Sequence, residues 1–239
     1  MSSCIVVFYI AVLPGLAGTQ DDPDAIYRDR ESLASAQRAA QIWAARLSAN
    51  ASDFQSAWKL ARAHYWLGTR GLPSRERKPA LEAGVTAGRA AVAIDGSRPE
   101  GHFWAAANMG ALAESYGIRQ GLRYRTPIRQ SLERVLAIDP AYLDGSADRA
   151  LGRWYYMVPR LFGGDKKRSE AHLRKALSYQ PQSVISRLFL AETLIALDRP
   201  ADARKELEAA LAMPISDEWA PEDRRFKEQA AALLKQLPR

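Results

Sequence analysis

The sequence is poor in the residues from which disulfides, metal sites and catalytic centres are built. It has one cysteine, Cys4, among 239 residues, so an intrachain disulfide or a cysteine-based metal site is excluded. Its three histidines, His64, His102 and His172, are scattered along the chain. The sequence offers no Ser-His-Asp order, paired carboxylates or nucleophile elbow. We therefore predict no catalytic residue, no metal and no cofactor, and a protein that is not an enzyme.

β-Branched residues are also sparse after the first dozen positions, whereas alanine is abundant. No segment alternates Val, Ile or Thr with polar residues between turns, as a half-buried strand would. Alanine is the strongest helix former. A chain that is 47% hydrophobic and 26% charged has the composition of a soluble folded protein. The prediction is an all-α fold.

The N-terminus lacks any Lys or Arg ahead of the apolar run over residues 5–13. That run is short for a membrane span, and small residues and an acidic segment follow it. The layout predicts a secretory signal over residues 1–18, cleaved near Ala17 or Gly18, and thus a periplasmic or secreted protein with no stable membrane span after cleavage. An uncleaved anchor and a misassigned start are the alternatives. Thr19 stands where a lipoprotein would carry its lipid-bearing cysteine, so a lipid anchor is not expected.

Four segments end alike, with a small or apolar pair, a further apolar residue and a helix stop: AAVAIDG, RVLAIDP, KALSYQP and AALAMP. If Ala91, Val135, Ala176 and Ala210 are equivalent, their spacings are 44, 41 and 34 residues. The last spacing is the period of a tetratricopeptide repeat. The pattern predicts about four helix-turn-helix units over residues 50–215, stacked into a tetratricopeptide-like superhelix, or solenoid.

Further helices are predicted on both sides of the repeats. Residues 24–49 form an amphipathic helix that packs on the array, and residues 219–239 form a C-terminal capping helix. The segment TRGLPSRERKP, residues 69–79, is rich in helix breakers and predicts an enlarged surface loop in the first repeat. The apolar residues of the N-terminal helix are spaced for one face: Leu33, Ala40, Trp43 and Leu47.

The stretch RLFGGDKKRSEAHLRKAL could be a phosphate-binding loop or a turn between two helices. A phosphate loop needs a preceding strand and two separated glycines, but these glycines are adjacent and the preceding segment is helical in pattern. Pro159 disfavours continuation of that helix, and Gly163 and Gly164 permit positive φ. Asp165 is a suitable N-cap for the next helix. We therefore predict a structural turn.

The segment ALGRWYYMVPRLFGGDKKRSEAHLRKALSYQP, with FLAETLIALDRPADARKELEAALAMP after it, resembles the T component of bacterial TRAP-type transporters. The resemblance spans roughly Asp95 to Leu237. It implies a helical-repeat periplasmic protein that partners a solute-binding protein. The segments LGRWYY and PEDRRFKEQAAALLKQL are similar to the regulator-of-microtubule-dynamics proteins, which the resemblance places in a related repeat fold. The chain departs from the T components in lacking their lipoprotein cysteine.

The net charge of +7 is concentrated in the middle of the chain. Residues 115–175 hold 13 basic and six acidic residues. Either an anionic ligand or surface meets this segment, or arginine side chains coat solvated faces of Ala-rich helices. Asp148 is expected to form an ion pair with its neighbour Arg149. No aromatic–basic motif of a nucleic-acid-binding fold is present, so we expect no nucleic acid as a partner.

Arg149 and Arg153 lie four residues apart on one predicted helix face, and Tyr156 follows three residues later. Two guanidiniums beside aromatic rings could bind a carboxylate. The preceding repeat adds three residues spaced to face the inner side of the superhelix: Trp104, Asn108 and Tyr116. Core packing is the alternative for these residues.

These observations predict a non-enzymatic scaffold that binds a protein or peptide partner through its inner groove. An accessory to a periplasmic solute-binding protein is one form of this role. The alternative is a binder or transport accessory for a small anionic solute held in the groove.

Overall fold

The structure is a computed structural model that describes residues 22–237. In this range the chain forms α-helices and no β-strand, which confirms the predicted all-α repeat fold. None of these helices combines the length and the hydropathy that crossing a bilayer requires. The predicted secretory signal over residues 1–18, including Cys4, lies outside the described residues.

The helices pack in four consecutive pairs, one after another. The pairs are α3 with α4, α5 with α6, α7 with α8 and α9 with α10. Helices α1 and α2 precede these pairs, and α11 packs on the last pair. The bounds are α1 Pro23–Arg28, α2 Leu33–Ala49, α3 Phe54–Trp66, α4 Ser74–Ile94, α5 Pro99–Ser115, α6 Gly117–Ile138, α7 Tyr142–Met157, α8 Lys166–Tyr179, α9 Val184–Ile195, α10 Pro200–Ala212 and α11 Ala220–Gln236.

Short polar side chains start several of these helices. A side-chain oxygen before the first turn accepts a hydrogen bond from a backbone N–H that has no partner within the helix. The capping residues of this kind are Asp22, Ser32, Asp53, Asp165 and Ser183. Helices α5, α10 and α11 instead have proline in their first turn, where the missing N–H costs nothing.

Residues 24–49 form two helices rather than the single predicted one. Ser32 caps α2 by accepting a hydrogen bond from a backbone N–H of its first turn, and this local bond starts a new helix. Trp43 and Ala40 are buried, as the pattern predicted, but Leu33 is 36% exposed. The amphipathic pattern continues across the break between α1 and α2, so the pattern could not reveal that break.

Residues 69–79, predicted as an enlarged loop, belong mostly to α4. A π-helical turn over Leu67–Gly71 follows α3, and α4 begins at Ser74 with Pro79 inside it. The Nε of Arg77 donates to the carbonyl of Leu72 at 2.7 Å, which fixes the turn against the start of α4. The insertion therefore lengthens α4 to 21 residues.

The buried apolar residues form two large clusters. One cluster extends from α1 to α7 and includes Trp43, Leu81, Met109 and Leu132. The other extends from α8 to α11 and includes Leu173, Leu190 and Leu207. Where the clusters meet, Ser169 Oγ donates to the carbonyl of Gly152 at 2.8 Å and lies 2.9 Å from Thr193 Oγ1. We call these three residues the hydroxyl seam.

Candidate functional site

A groove of about 1250 Å³ is bounded by residues of α1, α3 to α7, α9 and α11 and of the turns between helices. We call it the inner groove. Four of the six predicted binding residues line it, namely Trp104, Tyr116, Arg149 and Arg153, whereas Asn108 and Tyr156 do not. Aromatic rings from the first repeat and from the C-terminal helix complete its wall, among them Tyr65, Trp66 and Phe226.

Arg149, on α7, is a cation of the inner groove that has no anionic partner. Burial lowers the pKa of its guanidinium, and Asp144 and Asp223 act on it only at longer range. No carboxylate of residues 22–237 lies within ion-pair distance of it. A charge removed from water costs free energy unless an opposite charge compensates it. Since Arg149 also lines the groove, an anion that entered the groove could supply that compensation.

Arg153, one helical turn further along α7, is already neutralised. Its Nε lies 3.3 Å from Glu114 Oε1 and its Nη1 lies 2.5 Å from Glu192 Oε2. Burial alone would lower the pKa of Arg153, but these two carboxylates outweigh it and raise the pKa. The guanidinium also lies 4.6 Å from the ring centroid of Phe189. Of the two guanidiniums predicted to act together, that of Arg149 is therefore unpaired, whereas that of Arg153 ties α5 to α7 and α9.

Asp148 does not pair with Arg149, and that expectation is wrong. Its Oδ1 lies 2.7 Å from Nδ1 of His172 on α8. The ring of His172 stacks on Tyr155, with centroids 5.4 Å apart, and Arg168 donates to the Tyr155 hydroxyl at 3.2 Å. These contacts join α7 to α8 away from the inner groove.

Trp104 lies in the first half of α5, and Tyr116 directly follows its last residue. Trp104 is 5% exposed, and its ring packs 5.9 Å from Tyr65 and 5.1 Å from Phe103. Tyr116 follows the last residue of α5 and is half-buried, with the ammonium of Lys78 5.9 Å from its ring centroid. Trp104 thus forms the floor of the groove, and Tyr116 is more accessible.

Asn108 is fully buried and lies outside the groove. Its Nδ2 donates to the carbonyls of Ala61 on α3 and Trp104 on α5, at 3.0 and 2.8 Å. A Cβ atom added to Gly84 would come within 2.1 Å of the Asn108 Oδ1. Asn108 therefore ties α3 to α5, next to a close approach of α4. Because α5 is covered on almost every side, helical spacing could not tell its groove face from its packing face.

Tyr156 also lies outside the groove lining. The ammonium of Lys166 lies 3.8 Å from its ring centroid and donates to its backbone carbonyl. The guanidinium of Arg153 lies 5.4 Å from the same ring. Tyr156 therefore supports Arg153 from the end of α7.

Sequence reasoning missed the residues that close the groove between the two ends of the chain. Arg30 lies between α1 and α2 and is 6% exposed. Its Nη2 donates to Oε2 of Glu222 and to the carbonyl of Glu218, both at 2.7 Å. Arg70 Nη1 lies 3.3 Å from Oε1 of the same Glu222. Helix α11 is thus tied across the array to its first helices, and no local pattern could have predicted contacts between residues 192 positions apart.

The sequence model of the TRAP transporter T-component family matches residues 100–237, which agrees with the extent of the predicted resemblance. The model of regulator of microtubule dynamics protein 1-3 matches residues 22–168. Each match covers more than half of the chain. The chain belongs to both families. The second match ends before the closing helix, so the similarity of PEDRRFKEQAAALLKQL to that family lies outside it.

Solved structures support the same fold for this T-component family member. The structure of TTC0263, a thermophilic TPR protein from Thermus thermophilus, has 21% sequence identity and a TM-score of 0.67, and the match covers 90% of this chain and 99% of that one. A structure of MamA has 15% identity and a TM-score of 0.52, with 88% and 92% covered. No curated protein sequence matches this chain. These structural matches establish the fold.

The turn after α7 in this T-component family member is built by the residues singled out in the sequence. Pro159 precedes a 3₁₀ turn over Arg160–Phe162, and Gly163 has φ of +98°. A Cβ atom on Gly164 would lie 1.7 Å from the carbonyl oxygen of Val158. The Asp165 carboxylate accepts hydrogen bonds from the backbone of Lys167 and Arg168 and so starts α8.

Residues 22–237 of this T-component family member contain no group of three or more His, Cys, Asp or Glu side chains that could hold a metal ion. Asp148 and His172, the acid–histidine pair described above, lie outside the lining of the inner groove. The inner groove offers ionic and aromatic contacts, from side chains such as Arg149 and Trp104.

Proposed function

We propose that this protein is a non-enzymatic periplasmic scaffold that binds a protein partner through its inner groove, and that the partner is a solute-binding protein. Membership of the T-component family supports the transport context. The contact would be an acidic, extended segment of the partner that enters the groove. We propose no nucleic acid and no cofactor for this role.

One observation carries the proposal: Arg149 is half-buried in the groove wall and lacks an anionic partner. A carboxylate of the incoming segment would form a charge-assisted hydrogen-bonded pair with the guanidinium. The bound pair would remove the free-energy penalty that Arg149 carries in the unbound protein. Arg153 would not compete for that carboxylate, because Glu114 and Glu192 already occupy it.

The aromatic residues of the groove supply the non-ionic part of the contact. Tyr65, Trp66, Tyr116 and Phe226 present large rings along the wall, and buried aromatic contacts dominate the energetics of many interfaces. A volume of about 1250 Å³ exceeds the usual size of a small-molecule pocket. The groove is therefore better matched to a chain segment than to a single small solute.

The test compares Arg149→Met with Arg89→Met, a matched control at an exposed position of α4 outside the groove. Both proteins would be titrated with the solute-binding protein of the same transport system, with calorimetry as the readout. Loss of the Arg149 pair should weaken binding by about tenfold or more, which corresponds to about 1.4 kcal/mol, whereas Arg89→Met should bind like the wild type. Equal affinity of the two variants would remove Arg149 from the interface.

A small anionic solute in the groove is the second candidate function. The tie of α11 to the first helices, through Arg30 and Glu222, supports it because this tie closes the groove along one side. Thermal melting with a panel of mono- and dicarboxylates would test it, since a ligand that binds the folded state raises the melting temperature. A rise that is absent in Arg149→Met supports the solute. No rise in the wild type, together with binding of the protein partner, favours the scaffold.

A further inference from the structure

One edge of the inner groove carries an exposed apolar and basic surface. Ile118, Leu122 and Met157 of this surface also line the groove, but the proposed contact at Arg149 does not depend on them. The surface comprises the first turns of α6 and the segment from the end of α7 through the following turn. We call it the rim. Its apolar members are Ile118, Leu122, Met157 and Leu161, and its basic members are Arg119, Arg123 and Arg160.

The apolar members of the rim are unusually accessible. Leu161 is 87% exposed and Ile118 is 75% exposed, and Leu122 and Met157 are 48% and 43% exposed. Only six large apolar side chains of residues 22–237 are exposed, and four of them belong to the rim. Clustered exposed apolar groups mark interaction surfaces, whereas isolated ones need no explanation.

The two segments of the rim are adjacent in space. Trp154 Nε1, near the end of α7, donates to the carbonyl of Arg125 on α6 at 3.0 Å. The guanidinium of Arg125 lies 5.5 Å from the ring centroid of Phe162, in the turn that follows α7. The first turns of α6 and the turn beside Leu161 therefore form one continuous surface.

Charge on the rim has one sign. No Asp or Glu occurs in residues 116–132 or in residues 149–164. No carboxylate of the described chain lies within ion-pair distance of Arg119, Arg123 or Arg160. The acids that flank these segments in sequence have other contacts. Glu114 pairs with Arg153, Glu133 with Arg129 and Asp148 with His172, and Asp165 caps α8.

The side chains on α6 are arranged in two parallel rows. Ile118 and Leu122 are four residues apart and therefore stand one above the other on the helix, and so do Arg119 and Arg123. An apolar row beside an arginine row is the arrangement of helices that lie in the plane of a bilayer surface. Leu161 and Arg160 repeat the same pairing on the neighbouring turn.

We propose that the rim docks on the surface of an anionic lipid bilayer. Ile118, Leu122 and Leu161 would enter the boundary between headgroups and acyl chains. Arg119, Arg123 and Arg160 would bind lipid phosphates, for which the guanidinium is well suited. The apolar side chains protrude and are aliphatic, which favours a deformable lipid surface over a protein partner, because leucine is under-represented and Trp and Tyr are enriched in protein hot spots.

Sedimentation of the full chain with vesicles tests this proposal. Vesicles of equal parts phosphatidylglycerol and phosphatidylcholine would be compared with vesicles of phosphatidylcholine alone. Two variants remove the rim, Ile118→Ser with Leu161→Ser and Arg119→Glu with Arg123→Glu. Two matched controls change exposed side chains outside the rim. Ile215→Ser replaces an apolar side chain, and Arg89→Glu reverses a charge.

The wild type and the controls should bind the anionic vesicles, and each rim variant should bind at least tenfold more weakly. Raising the salt from about 0.1 M to about 0.5 M should weaken wild-type binding, because screening acts on the arginines. Hydrogen exchange with vesicles present should protect residues 116–126 and 157–163. This local readout separates the rim from the apolar run near the N-terminus, which every variant retains.

Three results would overturn the proposal. One is anionic-vesicle binding that the rim variants leave unchanged, and another is protection confined to other segments. The third is loss of protein-partner binding by the rim variants while vesicle binding persists, which would assign the rim to an acidic protein surface. Circular dichroism would verify that each variant folds. Arg149 is outside the rim, so failure here leaves the groove proposal unaffected.

Discussion

The guanidinium of Arg30 lies 2.7 Å from the carboxylate of Glu222, although 192 residues separate them in sequence. Arg30 is 6% exposed, and the rings of Tyr27, Trp66 and Trp219 surround its guanidinium within 6 Å. The first and last helices of the array therefore meet through the buried ion pair of Arg30 and Glu222. This contact turns an open stack of repeats into a closed arrangement around the groove.

Glu222→Gln should destabilise the protein by about 2–4 kcal/mol, because it leaves the buried Arg30 charge uncompensated. Urea denaturation measures this loss as a lower midpoint. The neighbouring pair Arg224–Glu31 is a matched control, since its side chains are 47% and 56% exposed. Glu31→Gln should change stability by less than about 1 kcal/mol. Similar losses in the two variants would contradict a buried tie between the chain ends.

Arg149 and Arg153 should respond oppositely to the same substitution. Arg153→Met leaves Glu114 and Glu192 without their cation and should cost about 2–3 kcal/mol. Arg149→Met removes a desolvated charge that has no partner and should leave stability unchanged or raise it. Chemical denaturation of both variants distinguishes the two cases. A large loss for Arg149→Met would mean that an internal anion, absent from the contacts described above, already compensates this guanidinium.

Gly164→Ala should destabilise the protein by about 3 kcal/mol or more, because its Cβ would overlap the carbonyl of Val158 and overpacking against backbone cannot relax cheaply. Gly110 is the matched control in the interior of α5, where a Cβ would meet nothing within 4 Å. Gly110→Ala should gain about 0.5–1 kcal/mol through helix propensity. Thermal melting of both variants checks the contrast, and equal shifts would refute the steric account of the turn.

Asp223 and Asp165 should give pH dependences of opposite sign. Burial raises the pKa of Asp223, so the folded state holds this proton more tightly than the unfolded state. The stability that this carboxyl contributes is present at low pH. It is lost as the pH rises from the ordinary aspartate pKa to the raised pKa of Asp223. The stability of Asp223→Asn relative to the wild type should therefore increase as the pH rises from about 3 to about 7.

The pKa of Asp165 is lowered by its hydrogen bonds from the backbone of Arg168 and Lys167. Its contribution is present above the ordinary aspartate pKa and is lost as the pH falls through the lowered value. Asp165→Asn should therefore be weaker than the wild type near pH 7 and approach it in acid. Urea midpoints measured across this pH range for both variants provide the test. Parallel profiles for the two variants would contradict these assignments.

The fold was predictable because its signals are local. Similar helix stops recur at spacings of 44, 41 and 34 residues, and each helix pair must bury its apolar face on the next. The binding residues were less predictable, because helical spacing identifies a face only when another face is solvated. Helix α5 is covered almost all round, so the pattern could not separate Trp104, in the groove, from Asn108, in the core. Likewise, Arg153 is paired through contacts 39 residues away on either side.

The hydroxyl seam lies where the two apolar clusters meet, and its hydrogen bonds join α7, α8 and α9. A break between the two clusters would release α8 to α11 as one unit, since Leu173, Leu190, Leu207 and Ala230 remain together in the second cluster. The same movement would separate Glu222 from Arg30, because α11 travels with that unit. Opening at this boundary would therefore also open the tie between the chain ends, and a long segment could then enter the groove from the side.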